Sequence, residues 1–222
     1  MKTIARRAGL VRATGRFGII FSLVVLLAGC AGIVDKPVQR NLYDFGPGPG
    51  PATASAPGAG LAPLVLADID ASGAFDGSAV LYRLGYADAH QLRPYAQARW
   101  SATPPQLVRQ RLRELLGRER VVLNPGEGAA MARQNGAMPR VLRIEMEEFA
   151  QVFDSPAQSF GQLRLRATLM ENTIDGERLL AQRSITAREP APTADAPGGV
   201  RALAAATDAA AAEISRWLQQ VR

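Results

Sequence analysis

The sequence is poor in the side chains that carry most enzymatic chemistry. Among 222 residues there is one cysteine, Cys30, and one histidine, His90. A zinc site needs several imidazoles or thiolates, and no second one of either exists. Counting alone leaves a Ser-His-Asp set open, but no Gly-x-Ser-x-Gly elbow is present. The glycine pairs Gly46-Pro47-Gly48 and Gly126-Glu127-Gly128 lack the lysine of a phosphate loop and read as turns. No internal repeat is found. The longest apolar run, Phe17–Ala28, would span about 18 Å as a helix, short of a hydrocarbon core of ~30 Å.

Acidic residues are missing from residues 1–29 altogether. Five of the 26 basic residues fall there (Lys2, Arg6, Arg7, Arg12, Arg16), which leaves 21 basic against all 20 acidic residues beyond. The formal charge of +6 therefore belongs to the first segment, and the remainder is close to neutral. A nucleic-acid partner is not expected, since displacing counterions from phosphates requires a standing basic excess.

A basic start, a short apolar stretch and small residues before a cysteine read as a secretory signal. The ending Leu27-Ala28-Gly29-Cys30 resembles the bacterial lipobox. That resemblance implies cleavage before Cys30 and a diacylglyceryl anchor on its thiol. It assigns residues 1–29 to the signal peptide and 30–40 to the lipidated N-terminus and tether. Acylation would also remove the one thiol from an oxidising compartment. Two or three acyl chains, at about 0.8 kcal/mol per buried CH₂, hold a protein to a bilayer almost permanently. Ala31, rather than Asp, follows the cysteine. By the sorting rule of enterobacteria-like cells this favours the outer membrane, facing the periplasm.

With 47% hydrophobic and 21% charged residues, the part from residue 41 to 222 is expected to bury a core as one domain. Asn41–Phe45 is a candidate brief strand, followed by a Gly/Pro-rich loop over residues 46–60 that has nothing to bury. Strands are predicted at 64–69, 80–84 and 92–100, separated by the turn chemistry of Gly73–Ser78. The best helix in the first half is Pro104–Leu116. Thr103 caps it, Pro104 suits its first position and Gly117 ends it. Its apolar side is Val108, Leu112, Leu115 and Leu116, with Arg109, Arg113 and Glu114 turned away. Val121–Leu123 is a short strand stopped by Asn124-Pro125-Gly126.

Residues 141–147 and 163–169 alternate apolar and polar side chains, which implies one buried and one solvated face and suits antiparallel pairing. Asp175-Gly176 marks a hairpin turn leading to a strand over 178–188. After a Pro/Gly break, a final helix runs from about Val200 to Val221, with Ile214, Trp217, Leu218 and Val221 on one stripe. The expected class is α+β: a mostly antiparallel sheet with two main helices packed on one face.

His90, near Asp88, reads as a surface loop residue. Alternation places Glu145 and Glu147 on a solvated face, so the acidic group with Glu148 reads as a charged exterior. The stretch from Tyr82 to Trp100 is rich in aromatics and arginine and supports two readings. Either it gives Tyr82, Tyr95 and Trp100 to the core, or it forms a contact surface from Tyr82, Tyr95, Arg99 and Trp100, residue types favoured at interface centres.

Several ordered features resemble the ABC-type transport auxiliary lipoproteins, the PqiC-like partners of MCE-protein lipid transporters. These are Tyr43-Asp44-Phe45, Leu81-Tyr82-Arg83, Leu92-Arg93-Pro94-Tyr95 leading to Arg99-Trp100, Pro104–Leu107, and a last helix ending in Trp217-Leu218. The resemblance covers about residues 41–221. It implies a non-enzymatic component, without cofactor or metal, of a system moving lipids or other apolar substrates across the envelope. Its partners would be an MCE-domain protein with an ABC permease and ATPase, and a homo-oligomer suits such a docking role. A structural lipoprotein of outer-membrane biogenesis is the alternative, and a lipid-anchored hydrolase a third reading.

Overall fold

The computed structural model describes residues 40–48, 61–135 and 138–221. The signal segment 1–29, Cys30, the tether to residue 39 and most of the 46–60 loop lie outside the described residues. Arg40–Arg222 form one compact unit.

The strands are β1 (Asn41–Tyr43), β2 (Leu64–Ala71), β3 (Ala79–Leu84), β4 (Asp88–Trp100), β5 (Val122–Leu123), β6 (Arg140–Ser155), β7 (Gln158–Thr173) and β8 (Gly176–Pro190). Three helices join them: α1 (Pro104–Leu116), α2 (Pro125–Asn135) and α3 (Ala196–Gln220). The long strand β6 is the spine of the sheet. One edge pairs antiparallel with β7 along its length, and β7 pairs antiparallel with β8.

The other edge of β6 is shared. β2 runs parallel to its first half, from Leu64 opposite Arg140 to Ala71 opposite Met146. β3 runs parallel to its second half, from Tyr82 opposite Gln151 to Leu84 opposite Phe153. The Gly73–Ser78 segment is thus a jog between two strands of the same direction, where a reversal would have given a hairpin. β4 then pairs antiparallel with β3, and β1 and β5 add in parallel at the margins. The sheet is therefore mixed: antiparallel along the long β6–β7, β7–β8 and β3–β4 pairs, as expected, but parallel where β2 and β3 meet β6. Period-two alternation reports that one face is buried; it carries no information about strand direction.

The buried face is continuous through Leu142, Ile144 and Met146 of β6, Leu163, Leu165, Ala167 and Leu169 of β7, and Ile185 and Ala187 of β8. α1 and α3 cover it, placing Leu107, Val108, Leu112 and Leu116 beside Leu203, Ala206, Ala210, Ile214 and Leu218 in one core. α3 starts at Ala196, four residues before the predicted start, because Asp195 accepts the Gly198 N–H at 2.8 Å as its cap. The helix lies close on the sheet at Gly161, where a Cβ would fall 2.5 Å from the Ala202 carbonyl carbon.

The third helix, α2, was not expected. Asn124, read as a strand stop, caps it: its carbonyl accepts the Glu127 and Gly128 N–H groups, and its own N–H donates to Glu127 Oε2 at 2.7 Å. α2 contacts β2 and β5, and Gly128 lets it approach Val65, whose Cγ2 would lie 2.5 Å from an added Cβ.

Two arginines repair irregular backbone. β2 loses register between Leu66 and Ile69. Arg109, predicted to face solvent, instead reaches from α1 to Leu66 O (3.1 Å) and Ala67 O (3.2 Å). A charged donor on carbonyls freed by a bulge satisfies groups that would otherwise be left unpaired. Arg99 does the same on β4.

Candidate contact surface

Between Leu81 and Ala79 of β3 there is one residue, while four residues of β4, Tyr95–Ala98, separate their partners Pro94 and Arg99. β4 bows outward over this stretch. Arg99 Nη1 donates to the carbonyls of Tyr95 (2.6 Å) and Ala98 (2.7 Å), so its guanidinium closes the bow of its own strand.

The bow carries Tyr95 onto Tyr82, with ring centroids 4.5 Å apart and planes at 38°. Phe153 meets Tyr82 edge-on at 6.0 Å. The Tyr95 hydroxyl donates to Gln151 Oε1 (2.8 Å), and Gln151 Nε2 donates to Ser159 Oγ (2.8 Å). Gln151 is fully buried, and Gly199 of α3 abuts it so closely that a Cβ there would overlap Gln151 Oε1. Burial first, then the neighbouring Tyr82 and Asp195, push the Tyr95 hydroxyl well above the usual tyrosine range. The phenol is therefore a fixed neutral donor. Both rings remain half-buried and present one edge of a rigid stacked pair to the surface.

Trp100 has a different place. It is 2% exposed, held between Phe45 (5.7 Å, 87°) and Phe149 (5.6 Å, 47°). Its surface is closed, so of its two sequence readings the core one describes where it lies. Its Nε1 has no hydrogen-bond acceptor. The structure thus brings Tyr82 and Tyr95 together, turns Arg99 back onto the main chain and withdraws Trp100. Cys30 lies outside the described residues.

The acidic group divides as well. Glu145 and Glu147 lie on the face opposite α1 and α3, in a ladder with Arg166 and Arg164. Glu148 stands apart from that ladder. A register shift between Met146 and Glu148 changes the parity of β6, turning Phe149 into the core. Glu148, 9% exposed, forms a two-bond pair with Arg83, Nε to Oε1 at 3.1 Å and Nη2 to Oε2 at 3.3 Å. The sequence signal was present: apolar residues step by two to Met146, then by three to Phe149. His90 is exposed but lies in β4 and not in a loop, and its backbone N–H donates to Asp88 Oδ1. Among the described residues no cluster of three His, Cys, Asp or Glu side chains could hold a metal ion, and no helix is long and apolar enough to cross a membrane.

Three grooves are notable. One of about 440 Å³ lies on the face opposite α1 and α3, with Val65, Val141, Met138 and Ala129 of α2 in its wall. Two others, of about 360 and 170 Å³, share Asp44, Phe45, Gly46 and Ser101; the first is walled by α3 and the second by α1.

Comparison with known proteins bears on both fold and role. A family model described as "ABC-type transport auxiliary lipoprotein component" matches residues 43–215. The crystal structure of protein XCC0632 from Xanthomonas campestris, of the family model DUF330, is similar over 81% of this chain and 97% of its own, at 18% identity and a TM-score of 0.63. The crystal structure of an uncharacterized protein covers 81% of this chain and 99% of its own, at 15% identity and a TM-score of 0.61. At such identities these likenesses speak to fold alone. Among curated proteins, none matches the sequence significantly.

Proposed function

Because this chain belongs to the family of ABC-type transport auxiliary lipoprotein components, we propose that it is the non-enzymatic docking lipoprotein of an MCE-type ABC system. In this reading the system moves lipids or other apolar substrates across the envelope. The observation that carries the reading is the family match, which spans nearly the whole described domain. The lipobox-like Leu27-Ala28-Gly29-Cys30 supports an acyl anchor on Cys30, and Ala31 supports sorting to the outer membrane.

The chemistry of the domain is in keeping with a binding module. Many of its charged side chains form ion pairs along the sheet and at its fork. A half-buried aromatic feature of its surface is the stacked Tyr82–Tyr95 pair. Tyrosine offers a large contact area with few rotatable bonds, and here both rings are ordered before any partner arrives.

Photo-crosslinking in cells tests this directly. A photoreactive phenylalanine analogue at position 82 should yield a covalent adduct with an MCE-domain protein, and the same group at exposed Ile174 should not. Adducts with outer-membrane assembly proteins at position 82 would favour the biogenesis role instead. Palmitate labelling that persists in a Cys30→Ser variant would remove the anchor from the account.

A further inference from the structure

Phe45 sits on no regular element. It follows β1, whose three residues pair with Ala98, Arg99 and Trp100, and it precedes Gly46, which has a positive φ of 69°. Beyond the Tyr43 carbonyl, which accepts the Ser101 N–H, the segment is held by one local turn, the Gly46 N–H donating to Asp44 Oδ1. Its ring nevertheless packs on Trp100 and Phe149. Grooves open on both sides of it, towards Val200 and Ala204 of α3 and towards Leu107 of α1. A phenyl group held chiefly by side-chain packing, on a segment with few backbone hydrogen bonds, therefore separates the two clefts.

The floor beneath the ring has a chemical peculiarity. It is apolar and aromatic, yet the Trp100 Nε1–H, in a residue 2% exposed, has no acceptor. Buried donors are nearly always paired, and an exception calls for an explanation. At the rim, Arg201 donates to the Thr193 hydroxyl at 3.3 Å and its charge helps hold the Asp195 carboxyl down, but it makes no ion pair within 4.0 Å among the described residues. The other rim charges are engaged: Arg111 with Asp208 and Glu114, and Asp44 with the Gly46 N–H.

We propose that Phe45 is a displaceable plug over a binding site for one acyl chain of an anionic lipid. The chain replaces the phenyl ring against Trp100 and Phe149, an ester carbonyl accepts the Trp100 Nε1–H, and Arg201 meets the anionic headgroup. An acyl ester fits where a purely hydrocarbon ligand does not, because it supplies the missing acceptor. The plug competes with the ligand, so the apparent affinity is reduced by the fraction of molecules in which Phe45 is seated. This inference takes from the proposed function only that the system handles lipids. It stands or falls by binding to this chain alone.

The chain contains two tryptophans, Trp100 and Trp217, so Trp217→Phe leaves Trp100 as its single indole. The test uses full-length Trp217→Phe protein in unbrominated detergent, titrated with lysophosphatidylglycerol bearing a dibromostearoyl chain, since bromine quenches indole only at contact. Saturable quenching is expected, with the apparent Kd lowered about tenfold by Phe45→Ala, which removes the competing plug. Arg201→Ala should weaken binding severalfold, and the zwitterionic lysophosphatidylcholine analogue should bind less well. Absence of saturable quenching in both the plugged and the Phe45→Ala protein, with unchanged circular dichroism, overturns the proposal. Equal quenching with and without Phe45 overturns the plug. Either failure leaves crosslinking at position 82 unaffected, so the two readings fail separately.

Discussion

Arg83 and Glu148 close a two-bond ion pair where β2 gives way to β3 along the edge of β6. Their side chains are 22% and 12% exposed. The pair sits at the fork in the sheet, where the bulge before Glu148 leaves a largely buried carboxylate whose ion-pair partner among the described residues is Arg83. Arg83 also reaches Ala89 O and His90 O, tying the start of β4 to the same point.

Glu148→Ala should destabilise the domain by about 2 kcal/mol, below the ~3–5 kcal/mol seen when one member of a fully buried pair is removed. A double-mutant cycle with Arg83→Met, measured by urea unfolding, should give a coupling energy above ~1 kcal/mol. Additivity of the two substitutions would mean that the pair does not hold the fork.

Gly161→Ala should cost about 1–3 kcal/mol, as overpacking does, since the new Cβ meets helix backbone that cannot rotate away. Gly126→Ala is the contrast. Nothing lies within 4 Å of its Cβ position, and alanine is the better helix former, so its melting temperature should hold or rise.

Arg120 is 7% exposed, and its Nε and Nη2 have no acceptor. Burial holds its pKa below the usual arginine value. Glu119 offsets only part of that burial, and replacing such a charge with an apolar side chain of similar length removes a desolvation penalty. Arg120→Met should raise the thermal midpoint, and a fall would show that the guanidinium has a partner in solution.

The α3 cap predicts an acid limb. Hydrogen bonds from the Thr193 hydroxyl and the Gly198 N–H hold the Asp195 carboxyl below the usual aspartate range. A depressed carboxylate contributes stability that is present above the unfolded pKa of ~3.9 and is lost as pH falls through the lower folded value. Asp195→Asn keeps the cap acceptor and should flatten this part of the stability–pH curve, while Asp195→Ala should cost about 1 kcal/mol at neutral pH. Chemical denaturation from neutral pH down through about pH 5 to pH 2, where such a group titrates, separates the two.

Much of the fold was legible because its signals are local. The Thr103-Pro104 entry of α1, the alternation in β6 and β7, the hairpin at Asp175 (its turn is Ile174-Asp175, one residue earlier than expected, with Gly176 already paired to Thr173) and the Trp217-Leu218 stripe each report on a few neighbouring residues. What escaped was set by contacts distant in sequence. The parallel pairing of β2 and β3 with β6 joins residues more than 65 apart. Arg109 looked solvent-facing from helical spacing, and only the bulge in β2 draws it inward. α2 was hidden by its glycines, and Gly128 makes sense only once Val65 lies beneath it. In the stretch from Tyr82 to Trp100, composition left the core and surface readings open, and separating Tyr82 and Tyr95 from Arg99 and Trp100 required knowing that β4 bows.

The most direct test of a docking role is recovery of the lipidated, detergent-solubilised protein from its own cells, with companions identified by mass spectrometry. The wild-type chain should bring down an MCE-domain protein with its permease and ATPase, and a Tyr82→Ala variant of unchanged melting temperature should bring down markedly less. Recovery of outer-membrane assembly proteins alone, or of no companion at all, would contradict the docking account and leave the family resemblance to explain only the fold.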